Sequence, residues 1–90
     1  MSTTEANDLI NFELGKTDLS KELKDLIASN LMMAHDQSEA YETSKNWKEG
    51  DEYMQNTSDS CIEAGYSPDV ALDASDFFYF VAKKLDLRFA

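Results

Sequence analysis

Apolar positions recur at helical spacing along most of the chain, and the clearest case is residues 70–89, VALDASDFFYFVAKKLDLRF. At about 100° per residue, Val70, Ala71, Ala74, Phe77, Phe78, Val81, Ala82 and Leu85 fall in one arc roughly 140° wide. That arc is the expected core face of a C-terminal helix. Ser67-Pro68-Asp69 is a strong start for it. A serine side chain accepts from a free first-turn amide, and proline at the first helical position forfeits no hydrogen bond. Asp69 then complements the positive end of the helix, and Lys83, Lys84 and Arg88 the negative end. Leu72, Tyr79 and Phe80 fall outside the core arc. Either a further helix covers this second side, or these residues form a self-association or partner surface, with Phe80 among carboxylates as an anchor.

Three helices are expected before this one. Residues 4–14 read as a short first helix, capped by Thr3 or Thr4 and ended by Gly15. Ala6, Leu9, Ile10 and Leu14 line one side and Phe12 another. So short a helix must dock to persist, and the second apolar side of the last helix is its expected dock. Thr17-Asp18 opens a long second helix. Leu19, Leu26, Met33, Ala40 and Trp47 recur every seven residues, and Leu23, Ile27, Leu31, Ala34 and Tyr41 widen that stripe. Asn30 and Gln37 interrupt a strict seam, which favours a bundle over a free-standing zipper. Met32 lies off the stripe, where exposure is expected. A break falls within residues 43–50, with Ser44 and Asn46 as caps and Gly50 weakening helix. A third helix over residues 46–64 turns Trp47, Tyr53, Met54, Ser58, Cys61 and Ile62 inward and stops at Gly65. Tyr66 packs back on its last turn. The short Gly65-Tyr66-Ser67 connection makes helices three and four antiparallel neighbours. The expected fold is all-α, a bundle of about four helices forming one domain over residues 1–90.

Size supports this. The surface scaling for a 10.2 kDa chain gives about 5,300 Å² folded against about 14,800 Å² unfolded, enough for a modest core. One proline and three glycines favour long helices over a turn-rich β fold. The N-terminus shows no positive flank followed by an apolar run, so no signal peptide is expected. No apolar run approaches membrane-spanning length. A reducing cytoplasm is the expected compartment.

Charge changes the picture more. The net charge is −10, and residues 35–67 carry −6 of it. Direct binding of nucleic acid through a basic footprint is therefore disfavoured, and an anionic membrane would repel the chain. A basic protein surface would attract it.

Candidate chemistry is sparse. His35 is the single histidine, expected at the surface or its boundary, and adjacent Asp36 points about 100° away, too far round for a catalytic pair. Cys61 lies on an apolar side with no cation near in sequence, as an inert packed thiol does. There is no alternating acidic calcium loop, no Glu-x-x-His pair and no phosphate-cradling glycine loop. No enzyme activity, metal or cofactor is expected.

The carboxylates do form rows. Asp36, Glu39 and Glu42 make a ridge on helix two; Glu52, Asp59 and Glu63 align on helix three; Asp69, Asp73 and Asp76 make a third row. Neighbours three or four apart on a helix are about 5–6 Å apart, close enough to offer a phosphate-like field to a basic groove. In size and charge the chain resembles the small acidic proteins with which phages block restriction, CRISPR or host nucleic-acid enzymes. That resemblance is compositional and assigns no residue roles. The leading expectation is a non-enzymatic binder of a basic or nucleic-acid-handling protein, acting as an inhibitor or nucleic-acid mimic. Asp36, Glu39, Glu42, Glu49, Asp51, Glu52, Asp59 and Glu63 would carry it. The alternative is a self-associating accessory subunit, a homodimer through Leu72, Tyr79, Phe80 or Met32. A small-molecule binder would need Lys16, Lys45, Lys48 or Arg88 for an anionic ligand.

Overall fold

The structure is a computed structural model that describes residues 1–41 and 46–90. The described residues form four helices and no strand: α1 (Thr3–Gly15), α2 (Lys21–Ala40), α3 (Glu49–Glu63) and α4 (Pro68–Lys84). The expected all-α bundle is what forms. Its accessible surface, 5359 Å², matches the value that size alone predicts.

Three helices start at serine caps. Ser2 caps α1 in a reciprocal box with Glu5, one residue ahead of the expected Thr3 or Thr4. Ser20 caps α2 by accepting from Leu23 N at 3.2 Å, so Thr17-Asp18 belongs to the connection instead. The Thr17 hydroxyl donates to Leu14 O at 2.7 Å and closes the end of α1. Gly15 is the last residue of α1, and the cap itself is Lys16. Ser67 caps α4 with Pro68 at its start, as expected.

The C-termini of α3 and α4 share one device. Beyond α3, Gly65 takes φ 93°, its N–H donates to Ile62 O, and Tyr66 N–H donates to Cys61 O, each at 3.0 Å. Beyond α4, Asp86 takes φ 58°, Asp86 N–H donates to Lys83 O at 3.3 Å, and Leu87 N–H donates to Ala82 O at 3.1 Å. Both are Schellman closures. The second uses an aspartate where glycine is usual, and it turns the tail back onto the bundle.

The core is one cluster drawn from all four helices: Ala6, Ile10 and Leu14; Leu23, Ile27, Leu31 and Ala34; Cys61; Ala71, Ala74, Phe78, Val81 and Ala82; with Leu85 and Leu87 of the tail. Phe78, fully buried, contributes about 1.5–3 kcal/mol by leaving water. The arc drawn for α4 holds, with Val70 and Phe77 at its half-buried edge. The side chain of Ser75 donates to Met54 O, and Arg88 pairs with Glu49. The middles of α3 and α4 therefore meet, and the end of the chain meets the start of α3. The two helices run antiparallel, as expected.

Several expected packing positions move. The seven-residue row of α2 is not its seam: Leu19 and Leu26 are half-buried, while Met33 and Ala40 are exposed. Of the residues expected to widen that row, Leu23, Ile27, Leu31 and Ala34 are buried as expected and Tyr41 is not, and Asn30 and His35 join the buried side. A seven-residue row drifts by about 20° per repeat on a straight helix, and here it rotates out of the core. Asn30 satisfies itself by donating to Leu26 O at 3.0 Å. Met32, expected outside, packs partly against the core. On α3, Ile62 is exposed and Thr57 takes the inward place, its hydroxyl bonded to Tyr53 O at 2.7 Å. The helix starts at Glu49 rather than residue 46, so Trp47 lies before it, its ring 5.3 Å from that of Tyr41. Of the two proposed caps, Asn46 is not one, and Ser44 lies outside the described residues. Finally, α1 packs on α2, not on the second side of α4.

Candidate functional site

The acidic row of α3 is the feature that sequence and structure place in the same way. Glu52, Asp59 and Glu63, with Asn56 between them, share one stripe of the helix, and all four are exposed. From Glu49 to Ala82 the chain holds eight carboxylates and no lysine, arginine or histidine. None of the stripe's carboxylates makes an ion pair among the described residues; Asp59 accepts a hydrogen bond from Gln55 at 3.0 Å. Asp59 and Glu63 stand in the last turns of α3, which carry no basic residue. There the helix dipole disfavours negative charge.

Two residues expected in this surface do other work. Glu49 is fully buried. Its carboxylate accepts from Arg88 N at 2.8 Å and from Arg88 Nε at 2.9 and 3.2 Å. The Arg88 guanidinium also donates to Tyr41 O at 3.0 Å, which ties the end of α2 into the same knot. Asp51 is half-buried and accepts from the Ala90 amide. The reason is the start of α3. Its cap residue, Lys48, supplies no side-chain hydrogen bond, and Arg88 O accepts from Gly50 N at 2.8 Å instead. The tail thus serves as the cap, and Glu49 and Asp51 hold the tail. Asp36 and Glu39 remain exposed, but on α2. Glu42 lies outside the described residues.

Leu72, Tyr79 and Phe80 stay exposed at 60%, 45% and 49%. Tyr79 meets Phe89 edge-on at 4.9 Å, and Lys84 lies over the Phe80 ring at 4.5 Å.

His35 is buried, not at the surface or its boundary as expected. Its Nε2 makes no hydrogen bond and lies 3.7 Å from the Glu39 carboxylate. Cys61 is fully buried, and burial pushes its thiol pKa up, away from a reactive thiolate. Among the described residues no group of His, Cys, Asp and Glu could hold a metal ion.

Of the cations weighed for an anionic ligand, Arg88 serves Glu49 and Lys16 lies 3.4 Å from Glu13. Lys48 is exposed just before α3, and Lys45 lies outside the described residues. An open cleft of about 290 Å³ between α1 and α2 is lined by Lys21 and Lys24 together with Asn11, Leu14, Asp25 and Ala28. Lys21 is already paired with Asp25 at 2.8 Å.

Sequence reasoning missed Glu13. It is buried on α1 and accepts from Lys84 at 2.9 Å, joining α1 to the end of α4. The Lys84 ammonium holds its carboxyl below the usual range. No local signal marks Glu13 or Glu49, because the partners Lys84 and Arg88 lie far along the chain.

Comparison with known proteins finds no family model, no curated protein and no solved structure that matches this chain. Among the described residues no helix is long and apolar enough to cross a membrane.

Proposed function

We propose that the chain is a non-enzymatic binding protein that lays the acidic stripe of α3 into a basic site on a partner protein, in the manner of a nucleic-acid mimic. The observation that carries this reading is the uncompensated stripe Glu52–Asp59–Glu63. Stability alone would favour a lysine in the last turn of α3, so the carboxylates there oppose the helix that bears them. Asp59 and Glu63 stand about 6 Å apart along the axis, and Glu52 and Asp59 about 10.5 Å. With phosphates rising about 3.4 Å per step of a strand, those intervals correspond to roughly two and three steps. Such a stripe is held at fixed spacing by a packed helix and needs no ordering when it binds. Asp36 and Glu39 extend the negative field from α2 and would speed encounter more than they would add contacts.

The test is affinity capture of nucleic-acid-handling proteins by the wild-type chain, with short duplex DNA as competitor. Capture should be competed by the duplex, weaken steeply from low to high salt, and vanish on combining Glu52→Lys, Asp59→Lys and Glu63→Lys. Capture that ignores both salt and the triple reversal would refute the reading.

A further inference from the structure

On its outer side α4 presents eight exposed residues in an arc of about 140° at helical spacing: Asp69, Leu72, Asp73, Asp76, Tyr79, Phe80, Lys83 and Lys84. The order along this arc matters. Three carboxylates come first, the two aromatic rings follow, and two lysines close it. No described helix lies along the arc: α3 packs on the opposite side, and α1 packs chiefly on α2, reaching the arc only where Glu13 takes Lys84; the tail meets it only where Phe89 lies against Tyr79. We propose that α4 pairs with α4 of a second copy of this chain, antiparallel across a two-fold axis passing between Tyr79 and Phe80.

Charge selects both the occupant and the direction. The chain carries −10, so most faces repel a second copy. Residues 68–90 sum to only −1, against −6 for residues 35–67, so this end of the chain repels a copy of itself far less. A parallel pairing would set aspartates against aspartates. An antiparallel one sets the acidic half of each helix against the basic half of the other, and it is self-complementary, as a two-fold interface must be. The axis brings Asp76 of each copy opposite Lys83 of the other. Neither residue makes an ion pair within the chain among the described residues. Lys84 is committed to Glu13 at 2.9 Å, whereas Lys83, without an ion pair among the described residues, only lies loosely over the Tyr79 and Phe89 rings at 5.9 and 5.8 Å, so it is the cation available for exchange. The rings of Tyr79 and Phe80 supply the apolar centre, and Leu72 extends it.

The area limits the strength. From Asp69 to Lys84 the face is about 22 Å long and roughly 10 Å wide, well short of the ~800 Å² per partner of a stable complex. Association in the range of tens to hundreds of micromolar is therefore expected, strongest at low salt.

Sedimentation equilibrium of the full chain between about 10 µM and 1 mM reads this directly. The wild type should show a monomer–dimer equilibrium. Tyr79→Glu combined with Phe80→Glu should abolish it. Asp76→Lys alone and Lys83→Glu alone should each weaken it roughly 10-fold, since each sets like charges face to face at two symmetric places. An equimolar mixture of those two single variants should recover dimer. In the mixed pair the ammonium introduced by Asp76→Lys faces the carboxylate introduced by Lys83→Glu, and the other contact across the axis is native. All substituted positions are exposed, and helical circular dichroism checks that each variant folds. A wild type that stays monomeric over this range overturns the proposal. So does a mixture that fails to recover dimer.

Discussion

Gly50→Ala separates local propensity from tertiary packing, because the two predict opposite signs. In an isolated first turn, alanine is better than glycine by up to about 1 kcal/mol. In this structure a Cβ on Gly50 would meet Arg88 O at 2.5 Å and the Phe89 ring at 2.6 and 2.7 Å. The first neighbour is backbone that accepts the Gly50 N–H, so it cannot swing aside without giving up that bond. Overpacking of this kind costs about 1–3 kcal/mol. Each kcal/mol lowers Tm by about 4–8 °C in a chain of this size. Thermal and urea unfolding followed by helical circular dichroism give the value. Gly15→Ala is the control, since nothing lies within 4 Å of its Cβ position; it should be neutral or slightly stabilising. A second arm removes residues 87–90. The truncated chain is less stable, but within it Gly50→Ala should lose its penalty and become neutral or favourable. If Gly50→Ala is as stable as wild type in the full chain, or equally costly in both chains, the tail does not seat on α3 as described.

Glu49→Gln should cost about 3 kcal/mol, the lower end for breaking a buried pair, because the Arg88 side chain is 26% exposed and regains water. A urea midpoint that falls at unchanged slope checks this. Glu13 titrates below its ordinary value of 4.5, chiefly through its hydrogen bond to Lys84. A depressed folded pKa gives stability that is fully present above 4.5 and lost as pH falls through the folded value. The stability difference between wild type and Glu13→Gln should therefore shrink steadily below pH 4.5; a constant difference would contradict the ion pair.

Much of the fold was legible in the chain because its causes are local. Ser67-Pro68, Gly65 and the α4 arc each act over one or two turns, and they set the antiparallel α3–α4 pair and its outward face. The α3 stripe was legible for the same reason: helical spacing alone aligns Glu52, Asp59 and Glu63. Periodicity failed where rows competed. The seven-residue row of α2 looked regular, yet the core took the positions read as flanking it, Leu23, Ile27, Leu31 and Ala34, together with Asn30 and His35, which no apolar pattern marks.

Tertiary structure decided what depended on distant partners. Glu49 has the same local context as other first-turn carboxylates, and only Arg88, 39 residues away, makes it a buried structural group. Asp51 was likewise taken by the tail. The docking of α1 on α2 could not be read from α1, whose apolar side fits either helix, and it left Leu72, Tyr79 and Phe80 in the open. Helix formation is written in neighbours three and four apart, whereas the fate of a charge or a ring depends on what the folded chain brings against it.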